Sequence, residues 1–348
     1  MPAETMRVAV YYRNSDIRIE ERPVPAAGPG ELLVRVEACG ICGSDALEWY
    51  RIKKAPLVLG HELAGVVVAV GEGVSGHRVG DRVVVDHHVP CGTCRFCRSG
   101  HETMCETLLH KTNIDPGGFA EFCRVPAINV EKGGVIPIPD HVSFEDASLA
   151  EPLATVLRGQ RIAGIQPGQT VLVMGAGIVG LIHVLAARAA GARFVVATDI
   201  SPYRLDAART FGADAAWRAG EDVPARLKEL TGGLADLVIV CTGARQVATE
   251  ALRATDMGGT VLFFASTDPG VETPVSINDF FWRRDTTLTT TYAGTPEDYR
   301  EALDMIASGR IDVHQMITHR IPLSDASQGF QMVASGQSSI KVIVEPQR

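Results

Sequence analysis

The run Thr170-Val171-Leu172-Val173-Met174-Gly175-Ala176-Gly177-Ile178-Val179-Gly180 constrains the fold of this chain more than any other stretch. An apolar, partly β-branched strand pattern passes directly into G-x-G-x-x-G, and an amphipathic helical segment follows. The glycine spacing alone would fit any tight strand-to-helix turn. The strand before it and the helix after it supply the context of a dinucleotide fingerprint. In that reading Gly175 makes the turn, Gly177 lets the backbone approach a pyrophosphate, and Gly180 lets the helix pack closely on the strand. Val179 and Gly180 lie where the helix begins, and helix N-terminal amides there face the phosphates, which makes Val179 a further cofactor-binding residue. The next predicted strand, 194–198, ends at Asp199, about 20 residues past the last glycine. A carboxylate there accepts hydrogen bonds from the ribose hydroxyls and repels a 2′-phosphate, so NAD is expected over NADP. The competing use of Asp199 is as the cap of a helix starting near Pro202.

From about residue 156 onward, predicted strands (170–174, 194–198, 237–240, 261–264) alternate with helical segments (180–190, 204–211, 247–254). That rhythm predicts βαβ units on a parallel sheet. Residues 1–110 read differently. Short β-branched runs at 32–36, 64–70 and 82–85 are divided by Gly, Pro and Asp, which predicts a small barrel-like β unit with long loops. The tail predicts a helix at 297–307 and a strand at 340–344. At roughly 100–200 residues per domain, 348 residues suit two domains. The apolar stretch 171–187 is short of the ~20 residues of a membrane span and is broken by glycines and His183. The charge sum, 33 Lys+Arg less 41 Asp+Glu, is −8, which disfavours nucleic-acid and anionic-membrane partners. The first seven residues have no apolar core and no cleavage pattern, so no secretory signal is expected and the predicted compartment is the cytoplasm.

Six of the eight cysteines are clustered, as in metal sites of a reducing compartment and unlike a dispersed disulfide framework. Cys91, Cys94, Cys97 and Cys105 place four thiolates on one loop, a closed tetrahedral Cys₄ set suited to a structural zinc. Cys39-Gly40-Ile41-Cys42-Gly43-Ser44-Asp45 begins like half of such a site, but the second half never follows. Downstream come Gly60-His61-Glu62 and then Glu151-Pro152. One thiolate, one imidazole and one or two carboxylates suit a catalytic zinc with an open position. Taken alone, a His-Glu pair is as well explained by an ordinary strand, and Cys39 by a small buried apolar side chain.

The order of these motifs resembles the zinc-dependent medium-chain dehydrogenase/reductase (alcohol dehydrogenase) family, and within it the sorbitol (polyol) and L-threonine 3-dehydrogenase branch. The likeness covers essentially the whole chain. It implies a GroES-like β-barrel catalytic domain carrying a structural-zinc lobe (1–155), a Rossmann NAD-binding domain with a doubly wound parallel sheet (156–293), and a C-terminal return to the first domain (294–348), with the active site in the cleft between. It implies two zincs per chain, NAD, a small alcohol substrate, and a homodimer or homotetramer.

Carried over by motif, Cys42 and His61 resemble the catalytic-zinc ligands, and Glu62 resembles an exchangeable carboxylate that replaces the zinc water. Glu151 stands where simple alcohol dehydrogenases have a second cysteine, and since glutamate there is typical of the polyol and threonine branch, the resemblance implies that it is a further zinc ligand. Asp45 resembles the carboxylate that orients the ligand histidine, and Ser44 the hydroxyl that receives the substrate proton. Arg204 matches a contact to the adenosine ribose, and Thr291 and Tyr292 fall near strand ends that face the nicotinamide. One departure stands out: the family's relay histidine, five residues after the ligand cysteine, is Leu47 here. His88, three residues before Cys91, matches a histidine near the substrate in threonine dehydrogenases. With an unperturbed pKa of about 6.5 it would suit the missing proton-relay role. The implied reaction is hydride transfer from a secondary alcohol to NAD. An amino-alcohol dehydrogenase is the alternative within enzymes, and a zinc-bearing structural or interaction protein without activity is the alternative outside them.

Overall fold

A computed structural model describes residues 4–108 and 110–348. It divides into two units, one built from the chain up to Ala154 together with Ala293–Arg348, the other from Thr155–Tyr292.

In the first unit, the hairpin Thr5–Arg13/Asp16–Pro23 pairs with the short strand Leu57–Val58. A larger sheet runs in the order Ile317–Pro322, Lys341–Glu345, Leu32–Gly40, Glu62–Val70, Arg82–Val85, Val135–Pro137, with Phe122–Val125 also joined to Leu32–Gly40. Alternate side chains point to one face of a strand, and here Val8 and Val10, Leu32, Val34 and Val36, Val83 and Val85, and Val342 and Val344 all enter one core. Phe330, on the helix Ala326–Ser335, packs against Tyr11 and Phe119 in that core. The C-terminal stretch is therefore an integral part of the first unit. Its register matters for function: Gly40 lies opposite both Glu62 and Ile343. The chain leaving Leu32–Gly40, the start of Glu62–Val70 and the start of Lys341–Glu345 thus converge at one end of the sheet.

The second unit is a six-stranded sheet in the order Ala215–Arg218, Phe194–Asp199, Thr170–Met174, Ala235–Val240, Thr255–Phe263, Thr287–Thr290. Every pairing is parallel. In sequence terms this is 3-2-1-4-5-6, the doubly wound order with its switch point beside the first strand. Thr170–Met174 is buried throughout, as a central strand covered on both faces must be. The α/β expectation holds, with GroES-like and Rossmann architectures. The sheet has two more strands than the sequence pattern predicted. Among the described residues, no helix is long and apolar enough to cross a membrane.

Candidate functional site

The first unit gathers three donors at the convergent end of its sheet. Cys42 follows the strand Leu32–Gly40 in a turn closed by the Asp45 amide donating to the Cys42 carbonyl, at 3.0 Å. His61 and Glu62 stand at the start of Glu62–Val70. The Cys42 sulfur, a His61 ring nitrogen and a Glu62 carboxylate oxygen all lie within 4.8 Å of one another. His61 Nδ1 is 3.5 Å from a fully buried Asp45 carboxylate oxygen, so Nε2 is the nitrogen left for a metal. Burial alone would raise the Asp45 carboxyl, but His61 and Arg51 beside it hold it below its ordinary range. Burial likewise works against a charged His61, and the neighbouring Asp45 and Cys42 outweigh it, carrying its pKa well above the ordinary value. Ser44 Oγ sits 3.3 Å from the Cys42 sulfur.

Sequence reasoning missed Lys341. Its ammonium is fully buried, pairs with Glu62 and donates to the Ile41 carbonyl at 3.2 Å. Gly40 makes room for that pair, since a Cβ there would meet the Glu62 carboxylate at 2.0 Å and the Lys341 chain at 2.6 Å. The available signal was a lysine inside the apolar run Ile340–Val344, because a buried ammonium needs an anionic partner.

Glu151, in the first turn of Ala150–Ile162, is buried but lies outside the 4.8 Å donor group. Burial, the largest influence, and the nearby Glu62 charge push its pKa up to about 7, against the pull of His61. The histidines before the cysteine loop stack toward the donors: the His87 ring centroid is 4.9 Å from that of His61 and 3.7 Å from that of His88. The His88 amide donates to Asp86 Oδ1 at 2.6 Å. The expected ordinary imidazole pKa does not hold at His88, because burial, followed by the charge of His61, lowers it to about 3. Leu47 is half-buried and caps the short helix Glu48–Arg51 through its carbonyl, to which the Tyr50 and Arg51 amides donate.

A second donor set comprises Cys91, Cys94, Cys97 and Cys105, whose sulfurs also fall within 4.8 Å of one another. The Cys94 amide donates to Cys91 Sγ at 3.3 Å, and the Cys91 amide to Cys105 Sγ at 3.2 Å. Backbone donors turned inward on sulfurs suit thiolates. All eight cysteines are free of disulfides. Four thiolates fit a closed tetrahedral zinc, and Cys-His-carboxylate fits a zinc with one position open.

In the second unit the glycine loop joins Thr170–Met174 to the helix Ile178–Ala189. Gly175 has φ +100°, and a Cβ on Gly180 would meet the Gly175 carbonyl oxygen at 1.9 Å. Gly177 stands at the helix cap, Val179 lies in the first turn, and no side chain caps the helix. Its first amides therefore have no intrahelical partner, and the backbone above Gly177 is open, with Arg204 3.9 Å away from where a Cβ would stand. That cradle fits a pyrophosphate. Asp199 is the last residue of its strand, while Ser201 occupies the cap position of Pro202–Thr210. The Asp199 carboxylate accepts from the Ala176 amide at 2.8 Å and the Ser201 amide at 2.9 Å, with Arg204 at 3.9 Å. Thr291 and Tyr292 directly follow the edge strand Thr287–Thr290.

Comparison with known proteins agrees with this architecture. Residues 28–140 match the alcohol dehydrogenase GroES-like domain, and residues 179–308 match the zinc-binding dehydrogenase domain. The chain is 33% identical to sorbitol dehydrogenase from Gallus gallus over 97% of its own length and 95% of that protein. It is equally 33% identical to L-threonine 3-dehydrogenase from Rhizobium etli, over 94% of both chains. A zinc-binding dehydrogenase from Sinorhizobium meliloti, solved with NADP bound, superposes with a TM-score of 0.88 at 30% identity, covering 99% of this chain and all of that one. The chain belongs to the zinc-dependent medium-chain dehydrogenase/reductase family of alcohol dehydrogenases.

Proposed function

We propose that this enzyme oxidises a secondary alcohol of the polyol, cyclitol or sugar class with NAD, using a zinc held by Cys42, His61 and Glu62. The observation that carries the reading is the three-donor cluster, whose atoms lie within 4.8 Å of one another beside a serine hydroxyl. When bound, the zinc supplies Lewis acidity at the substrate hydroxyl and the nicotinamide supplies the hydride acceptor. Asp45 holds the ligand histidine in the tautomer that frees Nε2. Ser44 Oγ takes the proton that the alcohol gives up as its own hydroxyl proton passes on to water, so that the serine stays neutral. Glu151, buried and within the electrostatic reach of His61 and Glu62, offers a carboxyl suited to hydrogen-bonding a substrate hydroxyl. His87 and His88 offer neutral imidazoles, able to donate and accept, which suits an uncharged polyhydroxylated substrate. Asp199 accepts from the adenosine ribose and disfavours a 2′-phosphate, Arg204 lines the same edge, and Thr291 and Tyr292 face the nicotinamide. The Cys91–Cys105 set holds the structural zinc.

A second reading, oxidation of L-threonine or a related amino alcohol, is favoured by His88 and by the equal identity to an L-threonine 3-dehydrogenase. We further infer a homo-oligomer in a reducing cytoplasm. The edge strand Thr287–Thr290 ends the parallel sheet with Leu288 exposed, and Trp282 and Met257 are exposed on the same unit. The test is NADH production by the zinc-loaded protein on sorbitol, xylitol, myo-inositol and L-threonine. Turnover of a polyol or cyclitol above L-threonine supports the first reading, the reverse order supports the second, and turnover of none rejects both.

A further inference from the structure

Arg51 belongs to no motif and projects from the short helix Glu48–Arg51. Its guanidinium nevertheless closes on the segment that carries Cys42. Arg51 Nη2 donates to the Asp45 carboxylate at 2.8 Å and to Ser44 Oγ at 3.2 Å, while Nε donates to the Ser44 carbonyl at 3.1 Å. The side chain is only 13% exposed and the Asp45 carboxylate is fully buried. The ion pair is thus shielded, and it anchors a rigid fork on the hydroxyl next to the metal donors.

We propose that Arg51 is a positioning residue for the reaction, fixing the Ser44 hydroxyl so that its one free lone pair is turned to the substrate hydroxyl. The argument is one of hydrogen-bond polarity. A serine hydroxyl has one proton and two lone pairs, whereas a guanidinium only donates. Arg51 therefore fills one lone pair of Ser44 Oγ and cannot receive its proton. The proton turns to the remaining neighbour, the Cys42 sulfur at 3.3 Å, and the second lone pair is left for the substrate hydroxyl. Leu47, the residue before this helix, cannot accept a proton either. Together the two bar a proton path through this helix, so that a relayed proton leaves Ser44 for water while the lone pair facing the substrate stays fixed.

This inference rests on the Ser44 role proposed above, and the experiment separates the two. Arg51→Lys is the informative variant: one ammonium keeps the charge on buried Asp45 but cannot also serve Ser44 Oγ and the Ser44 carbonyl. The measurement is a four-member cycle of parent, Arg51→Lys, Ser44→Ala and the double variant. Each is zinc-loaded and assayed with NAD on the polyol of the panel that gives the fastest NADH production, and each metal-free form is titrated with cobalt(II) by absorption. Arg51→Lys should bind cobalt like the parent and keep its KM within about 3-fold while kcat falls about 10- to 100-fold, and that fall should shrink below about 3-fold in the Ser44→Ala background. An equal fall in both backgrounds, or a fall that tracks lost cobalt binding, overturns the positioning role and leaves the Ser44 assignment standing. A fully active Ser44→Ala enzyme overturns both. Arg51→Gln, which keeps two donors without the charge, should recover part of kcat if geometry is the operative property, and failure to exceed Arg51→Leu would count against it.

Discussion

Lys341 and Glu62 form an ion pair from which water is wholly excluded, with exposures of 0% and 1%. Burial works to discharge the lysine, and the Glu62 charge outweighs it, holding the ammonium pKa above its ordinary value. The lysine therefore neutralises a buried carboxylate in the metal-free chain, and on the function proposed above a zinc takes over part of that task. Removing one partner of a buried pair costs about 3–5 kcal/mol, because the other charge is left uncompensated. Lys341→Met should accordingly destabilise the metal-free protein strongly and the zinc-loaded protein much less. Thermal unfolding of both forms checks this, and an equal loss in the two would show that Glu62 does not share its charge with the metal.

The two donor sets should behave differently when one sulfur is removed. Cys42→Ser should abolish turnover, keep the fold and leave one zinc per chain by elemental analysis. Cys94→Ser should also leave one zinc but should unfold at lower temperature, because a closed structural site contributes directly to folding free energy. A fully active Cys42→Ser protein would refute the catalytic assignment.

Much of this was legible in the sequence for identifiable reasons. The glycine loop and the Cys₄ loop are local, so spacing alone reports their geometry. Cys42 and His61-Glu62 could be named only through the family resemblance, because the register that brings Gly40 opposite Glu62 is a long-range pairing. Lys341 shows in the sequence only as a lysine inside an apolar run, and its partner stays hidden for the same reason, being 279 residues away. Ala215–Arg218 was missed because two alanines and an arginine carry little strand signal, and Thr287–Thr290 because an exposed edge strand has no apolar face. The strand Thr255–Phe263 was foreseen only in its second half, since Asp256-Met257-Gly258-Gly259 reads as a turn.

Cofactor choice follows from Asp199. Its carboxylate is held by two backbone amides, so it cannot swing away from a 2′-phosphate. NAD should be preferred over NADP by at least about 10-fold in kcat/KM, corresponding to about 1.4 kcal/mol. Asp199→Ser should narrow that ratio mainly by improving NADP. Equal efficiency of the parent with both cofactors would remove the selecting role from Asp199.

Asp86 is fully buried, and burial holds its carboxyl pKa well above the ordinary value. The folded chain therefore keeps this proton at pH values where the unfolded chain has lost it. A carboxyl shifted upward stabilises the fold most in acid, and that contribution declines as pH rises above about 4. Asp86→Asn removes the ionisation and retains an oxygen to accept the His88 amide. Its unfolding temperature relative to the parent should rise as pH increases from about 4 and level off once pH passes the folded pKa of Asp86. A pH-independent difference would mean that Asp86 ionises normally.

His88 decides what kind of help the site gives its substrate. A histidine in its position could be a base that carries the substrate proton onward, in place of the relay histidine that Leu47 has displaced. Its environment argues otherwise. The residue is 7% exposed, and burial together with the charge of His61 lowers its pKa to about 3. A base that weak holds almost no proton at neutral pH, and a general base is effective only when its pKa lies near the working pH. The neutral ring can still hydrogen-bond a substrate hydroxyl, and asparagine preserves a donor and an acceptor of similar reach. His88→Asn should therefore raise KM while leaving the midpoint of the kcat pH profile unmoved, where loss of a general base would cost about 10²-fold or more in kcat. Stability supplies an independent reading. A histidine whose folded pKa lies below its unfolded value binds fewer protons when folded, so the parent loses stability as pH falls from about 6.5 towards 3. His88→Asn should flatten that decline. A variant whose kcat profile loses its acidic limb, with acid stability unchanged, would restore His88 as the proton carrier.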